Sequence, residues 1–199
     1  MSTTTTLDEF VEREMTLEEW GAMDEDAEGE LVDGHLVAEE EVGTVHDILL
    51  AWLSTQLFNW LGPRGGLVGA CDTTRFAVSK RRGRKPDAFV YLPGRKAPAA
   101  NLVRAPPDIM IEVVAPTPRD QRRDRLDKYS EYAAFGVRWY WIVDPTLRAL
   151  EIFELTDAGR YSRVVGVSEG LLTDVPGMPG LELDVDAIWA TGDTLVPEE

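Results

Sequence analysis

Residues 106–116 read Pro-Pro-Asp-Ile-Met-Ile-Glu-Val-Val-Ala-Pro, an apolar run bounded by prolines with one acid, Glu112, inside it. A short Ile/Val-rich run of this kind is the signature of a strand buried on both faces. A carboxylate placed there costs several kcal/mol unless it is paired, hydrogen-bonded or protonated, so Glu112 demands a partner. A second acid stands in a similar place upstream, where Lys85-Pro-Asp-Ala-Phe-Val-Tyr-Leu92 puts Asp87 at the mouth of another apolar strand. Two strand-borne acids point to a site for a hard cation.

The chain has 199 residues, 44% of them hydrophobic, enough for one well-cored domain. Its single cysteine, Cys71, excludes an internal disulfide and any multi-thiolate metal site. The start, Met1-Ser-Thr-Thr-Thr-Thr-Leu followed by acids, has no secretory pattern, and the cytoplasm is the expected compartment. Apolar stretches such as 48–53 fall far short of the roughly 20 residues of a membrane-spanning helix, so no membrane partner is expected. The formal net charge of -16 argues against a general nucleic-acid coat protein. The charge is unevenly placed, however. Between Arg75 and Lys128 lie 14 basic residues against six acids, a local excess of eight positive charges that coincides with both acid-bearing strands.

Residues 1–14 are expected to form a frayed acidic tail, 15–190 one domain and 191–199 a second tail. Thr16 with Glu19 three positions later predicts a capped short helix. Glu30 to Val37 predicts a hairpin turning at Asp33-Gly34, which places Glu30 on a strand. From Thr44 to Leu61 apolar residues recur at helical spacing until Gly62-Pro63. Strands are expected over about 67–78 and 88–92, then an Ala/Pro loop over 93–107, then the Glu112 strand. Arg119 to Phe135 predicts a basic amphipathic helix with Leu126, Tyr129 and Ala133 on its apolar face, ended by Gly136. The run Trp139-Tyr-Trp-Ile-Val143 predicts a core strand parallel to the Glu112 strand, because a helix crosses between them. A hairpin around 157–159 and a short helix over 186–189 complete an α/β sheet of mixed direction flanked by helices.

Magnesium takes oxygen ligands, commonly one or two carboxylates together with waters, and Asp87 with Glu112 meets that demand. Phosphodiester hydrolysis also needs a group to orient the attacking water and stabilise developing negative charge, a role open to a lysine beside the cation. Asp87 after a proline, Glu112-Val-Val114 on the next core strand and Lys128 on the following helix resemble the PD-(D/E)XK nuclease superfamily. More specifically the chain resembles the Uma family, a bacterial group described as putative restriction endonucleases. The likeness runs over about 15–190 and rests on 30–34, His46, Pro86-Asp87, 107–116, the series Asp124, Lys128, Tyr132, Gly136-Val137, and 140–145.

The resemblance implies a restriction-endonuclease-like fold with an N-terminal and a C-terminal hairpin, and a magnesium-dependent endonuclease acting on DNA, with manganese an alternative ion. It implies Asp87, Glu112 and the Val113 carbonyl as metal ligands, Lys128 as the group that orients water, and Glu30 and His46 as supporting residues. The superfamily lysine stands two residues after the glutamate, where this chain has Val114, and the family resemblance implies that Lys128 replaces it from the helix. Restriction-type nucleases often pair to reach both strands, which implies a homodimer.

Plainer roles exist for the same residues. Asp87 can cap a turn, Glu112 can pair with Arg75, Lys128 can form an exposed helix pair with Asp124, and Glu30 and His46 can be structural. A non-catalytic scaffold on the nuclease fold is the alternative function, and a phosphoesterase with a small substrate is a third. Whether Lys128 points at the Asp87 and Glu112 pocket separates enzyme from scaffold.

Overall fold

The computed structural model describes residues 14–24, 27–38, 42–70 and 73–195. Cys71, the expected tail up to residue 13 and the last four residues lie outside the described residues.

Helix α1 (Leu17–Gly21) begins with the capping box that Thr16 and Glu19 predict: the Thr16 hydroxyl accepts the Glu19 N–H at 3.2 Å and the Glu19 carboxylate accepts the Thr16 N–H at 2.9 Å. Strands β1 (Glu30–Val32) and β2 (His35–Val37) form the expected hairpin. Asp33 and Gly34 both take positive φ, 52° and 88°, the geometry of a tight two-residue turn. Helix α2 (Thr44–Leu61) stops at Gly62-Pro63 in a single 3₁₀ turn.

The segment expected as one strand run over 67–78 is two strands in different sheets, β3 (Leu67–Ala70) and β4 (Arg75–Ala77). The two-residue strand β5 (Gly83–Arg84) precedes β6 (Ala88–Tyr91), and β7 (Leu102–Val103) interrupts the expected 93–107 loop. Strand β8 (Ile109–Val113) carries Glu112. Helix α3 (Pro118–Arg122), a π-helical segment (Arg123–Lys128) and α4 (Tyr129–Phe135) run on continuously and end at Gly136, whose φ is 94°. Strands β9 (Trp139–Asp144), β10 (Ala149–Leu155), β11 (Tyr161–Val167), β12 (Leu171–Leu172) and β13 (Leu183–Asp184) follow. Helix α5 (Val185–Gly192) runs two residues past the expected domain end at 190.

The main sheet has the order β11-β10-β9-β8-β6-β3, with β8 and β9 parallel as the crossover helix predicts and the other pairs antiparallel. The second sheet, β2-β1-β5-β4-β7, holds the N-terminal hairpin. Alternation along the main strands divides the interior. Ile109, Ile111, Val113, Trp139, Trp141 and Val143 face α2 and α5, and Met110, Val114, Tyr140 and Ile142 pack with Tyr132, Phe76 and Tyr161. Glu112 shares the parity of Met110 and Val114, so the strand pleat turns it toward the helix that carries Lys128.

That helix packs Tyr129 and Ala133 against the core as expected and adds a polar inward stripe that was not expected. Leu126 is 60% exposed, whereas Asp120, Asp124, Lys128 and Tyr132, spaced four apart, are buried. The inward stripe is polar because its partners are charged groups brought from distant strands. A π turn within it matches the habit of such turns to occur at functional sites.

Candidate active site

The Lys128 ammonium is the centre of the cluster. Its Nζ donates to Glu112 Oε2 at 2.8 Å and lies 3.6 Å from both Glu30 Oε1 and Asp124 Oδ1. Lys128, Glu30, Glu112 and Asp124 are all buried, which removes the exposed Lys128–Asp124 pair as a reading. The Tyr132 hydroxyl donates to the other Glu112 oxygen, Oε1, at 2.6 Å. Arg75 is not the partner of Glu112; its guanidinium donates to the main-chain oxygens of Met23 and Asp24.

Strand pairing brings Asp87 to the same place. The β6–β8 register runs from Val90 opposite Ile109 to Ala88 opposite Ile111, and one further step sets Asp87 opposite Glu112. Asp87 Oδ2 accepts the Val113 N–H at 2.6 Å, a contact to the neighbouring strand rather than a cap of its own turn. His46, in the first turn of α2, puts Nε2 3.1 Å from the same oxygen, and its Nδ1 lies 3.3 Å from Asp47 Oδ1.

Glu30 is fixed from two sides: Arg84 donates to Oε2 at 2.6 Å and the Lys85 N–H to Oε1 at 3.0 Å. Arg84 in turn grips Glu131 at 2.6 and 2.9 Å, tying the small sheet to α4. Arg123 lies 3.0 Å from Asp120 and 3.6 Å from Asp124.

The titration behaviour follows from sharing few cations among many carboxylates. Burial alone works against the Lys128 cation, but Glu112, Glu30 and Asp124 outweigh it and raise the lysine above its usual range. Burial would raise Glu30 too, yet Lys128 and Arg84 hold it below the ordinary carboxyl value. Glu112 is the acid on which burial wins: desolvation pushes it up against the opposing charge of Lys128, and Asp87, Asp124 and Glu30 push the same way. Asp124 is likewise raised, chiefly by burial. For His46, burial disfavours the cation, but Asp87 and Asp47 outweigh it and hold the imidazole up at about 9.

Among the described residues no three His, Cys, Asp or Glu side chains gather closely enough to hold a metal ion by themselves. Magnesium asks for less, since it commonly keeps several waters beside one or two carboxylates. The donor set fits that pattern. Asp87 and Glu112 are in register, and Asp87 Oδ1 takes no hydrogen bond from the described residues. The buried Asp124 Oδ1 also lacks a hydrogen-bond donor. Around these groups the carboxylates of Glu30, Asp87, Glu112, Asp120, Asp124 and Glu131 outnumber the permanent cations Arg84, Arg123 and Lys128.

Lys128, Glu112 and Glu30 thus meet directly, and Asp87 with His46 forms the adjoining pair. Val113 enters through its N–H. Sequence reasoning did not place Tyr132, Asp124 or Arg84 in the site, although Asp124, Lys128 and Tyr132 share a four-residue spacing that marks one helical stripe. The basic middle segment is largely consumed inside the fold. Arg75, Arg84, Lys85 and Lys128 are buried, and Arg81, Arg82, Arg95, Arg104, Arg123 and Arg125 pair with acids. Among the described residues Lys80, Lys96 and Arg122 have no acidic partner.

A mixed sheet with the half-buried Asp87 and the buried Glu112 in register on neighbouring strands, and Lys128 brought beside them by the crossover helix, has the restriction-endonuclease-like arrangement. Residues 8–186 match the Uma2 family, described as "Putative restriction endonuclease", and the chain belongs to that family. The fold is also that of a crystal structure titled as a putative nuclease belonging to DUF820 from Anabaena variabilis ATCC 29413, with a TM-score of 0.68 and 18% identity over 89% of this chain and 99% of the other. No curated protein matches the sequence. No helix among the described residues is long and apolar enough to cross a membrane.

Proposed function

We propose that this chain is a metal-dependent endonuclease that hydrolyses DNA phosphodiester bonds. The observation that carries the reading is the Lys128 ammonium 2.8 Å from Glu112, the arrangement that separates an enzyme from a scaffold that has lost its lysine. Asp87 and Glu112, with the Val113 carbonyl, are the residues to hold magnesium or manganese. A bound divalent cation supplies a water of lowered pKa and neutralises charge on the phosphate. Lys128 stays protonated, so it acts by donating to the attacking water or to the phosphoryl oxygens rather than by accepting a proton. Glu30, 3.6 Å from the ammonium, helps keep the lysine charged at the site. His46 fixes the Asp87 carboxylate. Action on both strands of a duplex calls for a homodimer, and among the described residues Lys80, Lys96 and Arg122 are basic side chains available to meet phosphate.

The experiment is cleavage of supercoiled, linear and single-stranded DNA with magnesium or manganese, together with thermal unfolding under the same ions. The ion should stabilise the folded chain by about 2.7 kcal/mol at 100 times its dissociation constant, because the unfolded chain has no assembled site. Asp87→Ala and Glu112→Ala should each abolish both the stabilisation and the cleavage. Full metal-linked stabilisation in both variants would show the ligands to be wrong, and a wild type inert on every DNA form would favour the scaffold.

A further inference from the structure

Four tyrosines, Tyr129, Tyr132, Tyr140 and Tyr161, stack edge-on or tilted against one another beneath the site, with centroids 5.2 to 6.4 Å apart in their contacts. Three of their hydroxyls serve main-chain carbonyls: Tyr129 donates to Tyr161 O, Tyr140 to Asp124 O and Tyr161 to Val137 O. Tyr132 differs. Its hydroxyl, fully buried, donates at 2.6 Å to the Glu112 carboxylate.

We propose that Tyr132 is a positioning residue that presets the Glu112 carboxylate for cation binding. The inference rests on Glu112 being a metal ligand, as proposed above. A free glutamate side chain has several rotatable bonds, and a cation must freeze them on binding. Here the carboxylate is held at both oxygens from successive turns of one helix, Oε2 by Lys128 and Oε1 by Tyr132. The tyrosine itself cannot swing, because its ring is wedged edge-on against Tyr140 at 5.2 Å and 80°. Lys128 alone fixes one oxygen and leaves the plane of the carboxylate to turn about it; the second contact sets that plane. Ordering the ligands through neighbouring hydrogen bonds is the general way a metal site is tuned.

The test uses the full chain and manganese, whose binding is followed by electron paramagnetic resonance and by calorimetry. Tyr132→Phe keeps the ring and deletes the hydroxyl; Tyr140→Phe does the same where the hydroxyl serves the backbone. Manganese affinity should fall about 10- to 100-fold in the first variant and less than about twofold in the second, while both lose a buried hydrogen bond. Equal affinity in Tyr132→Phe and wild type, or an equal loss in both variants, would overturn the proposal. If Tyr132→Phe does not fold, 4-aminophenylalanine at 132 retains the ring with a weaker donor. It should lose several-fold in affinity where the same replacement at 140 loses none, and no difference between the two would again refute it. A wild type that binds no manganese overturns the site itself, which is a different failure from a wild type and Tyr132→Phe that bind equally well.

Discussion

Replacing Lys128 by methionine removes the charge and keeps most of the side-chain bulk, and the structure fixes what the loss should be. At an effective dielectric constant of 20, a pair of charges 2.8 Å apart interacts by about 6 kcal/mol, before the desolvation that offsets much of it. Breaking a buried pair from one side typically costs about 3 to 5 kcal/mol, since the remaining charge is stranded. An exposed Lys–Asp helix pair would cost only about 0.3 kcal/mol. The two readings therefore differ by an order of magnitude.

Glu112 gives the loss a pH signature. Its carboxyl is raised by burial even with Lys128 in place, and without the lysine it rises further. Titration of a group alters the cost of a substitution only between its folded-state pKa values in the two proteins, and Glu112 already stands at about 8 with Lys128 in place, so its share of the Lys128→Met penalty should be absent near pH 6.5 and grow as pH climbs above 8. Urea unfolding at pH 6.5 and pH 9.5, without metal, measures both ends. Magnesium should recover part of the loss at the higher pH by supplying the missing positive charge, while DNA cleavage stays at least about 100-fold below wild type. A stability loss that does not grow between the two pH values, or one under about 1 kcal/mol at pH 9.5, would refute the buried-centre argument.

His46 should make metal-free stability fall with rising pH: its pKa is raised from 6.5 to about 9, so the stabilisation is complete below pH 6.5 and lost as pH climbs through 9. The span is about 3 kcal/mol at most, and His46→Gln should flatten this part of the curve measured by urea unfolding. For DNA, Arg122→Glu should weaken binding and reduce its salt dependence without loss of fold, because Arg122 is exposed and unpaired with acid among the described residues. Arg123→Glu should instead destabilise the protein, since it places a third carboxylate beside Asp120 and Asp124; fluorescence anisotropy over a salt series, with thermal unfolding alongside, separates the two.

Where a residue's environment is set by its near neighbours in sequence, the structure could be read in advance. Glu112 inside an Ile/Val run, the capping box at Thr16, the Asp33-Gly34 turn and the long apolar periodicity of α2 are all of this kind. Strands β5 and β7 were illegible because two residues carry no period, and their pairing depends on partners far along the chain. The polar part of the crossover helix's inner face was missed for a related reason. Charged residues at four-residue spacing look like a solvated surface until Glu30 and Glu112 are known to stand opposite. Tyr132 was visible as part of a family pattern, but only the 2.6 Å contact to Glu112 gives it a task. Likewise the excess of positive charge in the middle of the sequence did not translate into a basic surface, because acids from elsewhere in the fold neutralise most of it.

Glu30 comes from the first hairpin and Lys128 from a helix far downstream, and Arg84 locks the hairpin to that helix through Glu131. The centre therefore depends on loop closures over long stretches of chain, the slow events in folding. A ribosome-bound chain ending between residues 112 and 127 already carries Asp87 and Glu112 but lacks the ammonium that lies 2.8 Å from Glu112. On the nuclease function proposed above, a copy truncated in that interval holds both proposed ligands without the lysine, so cutting would wait until the crossover helix is made.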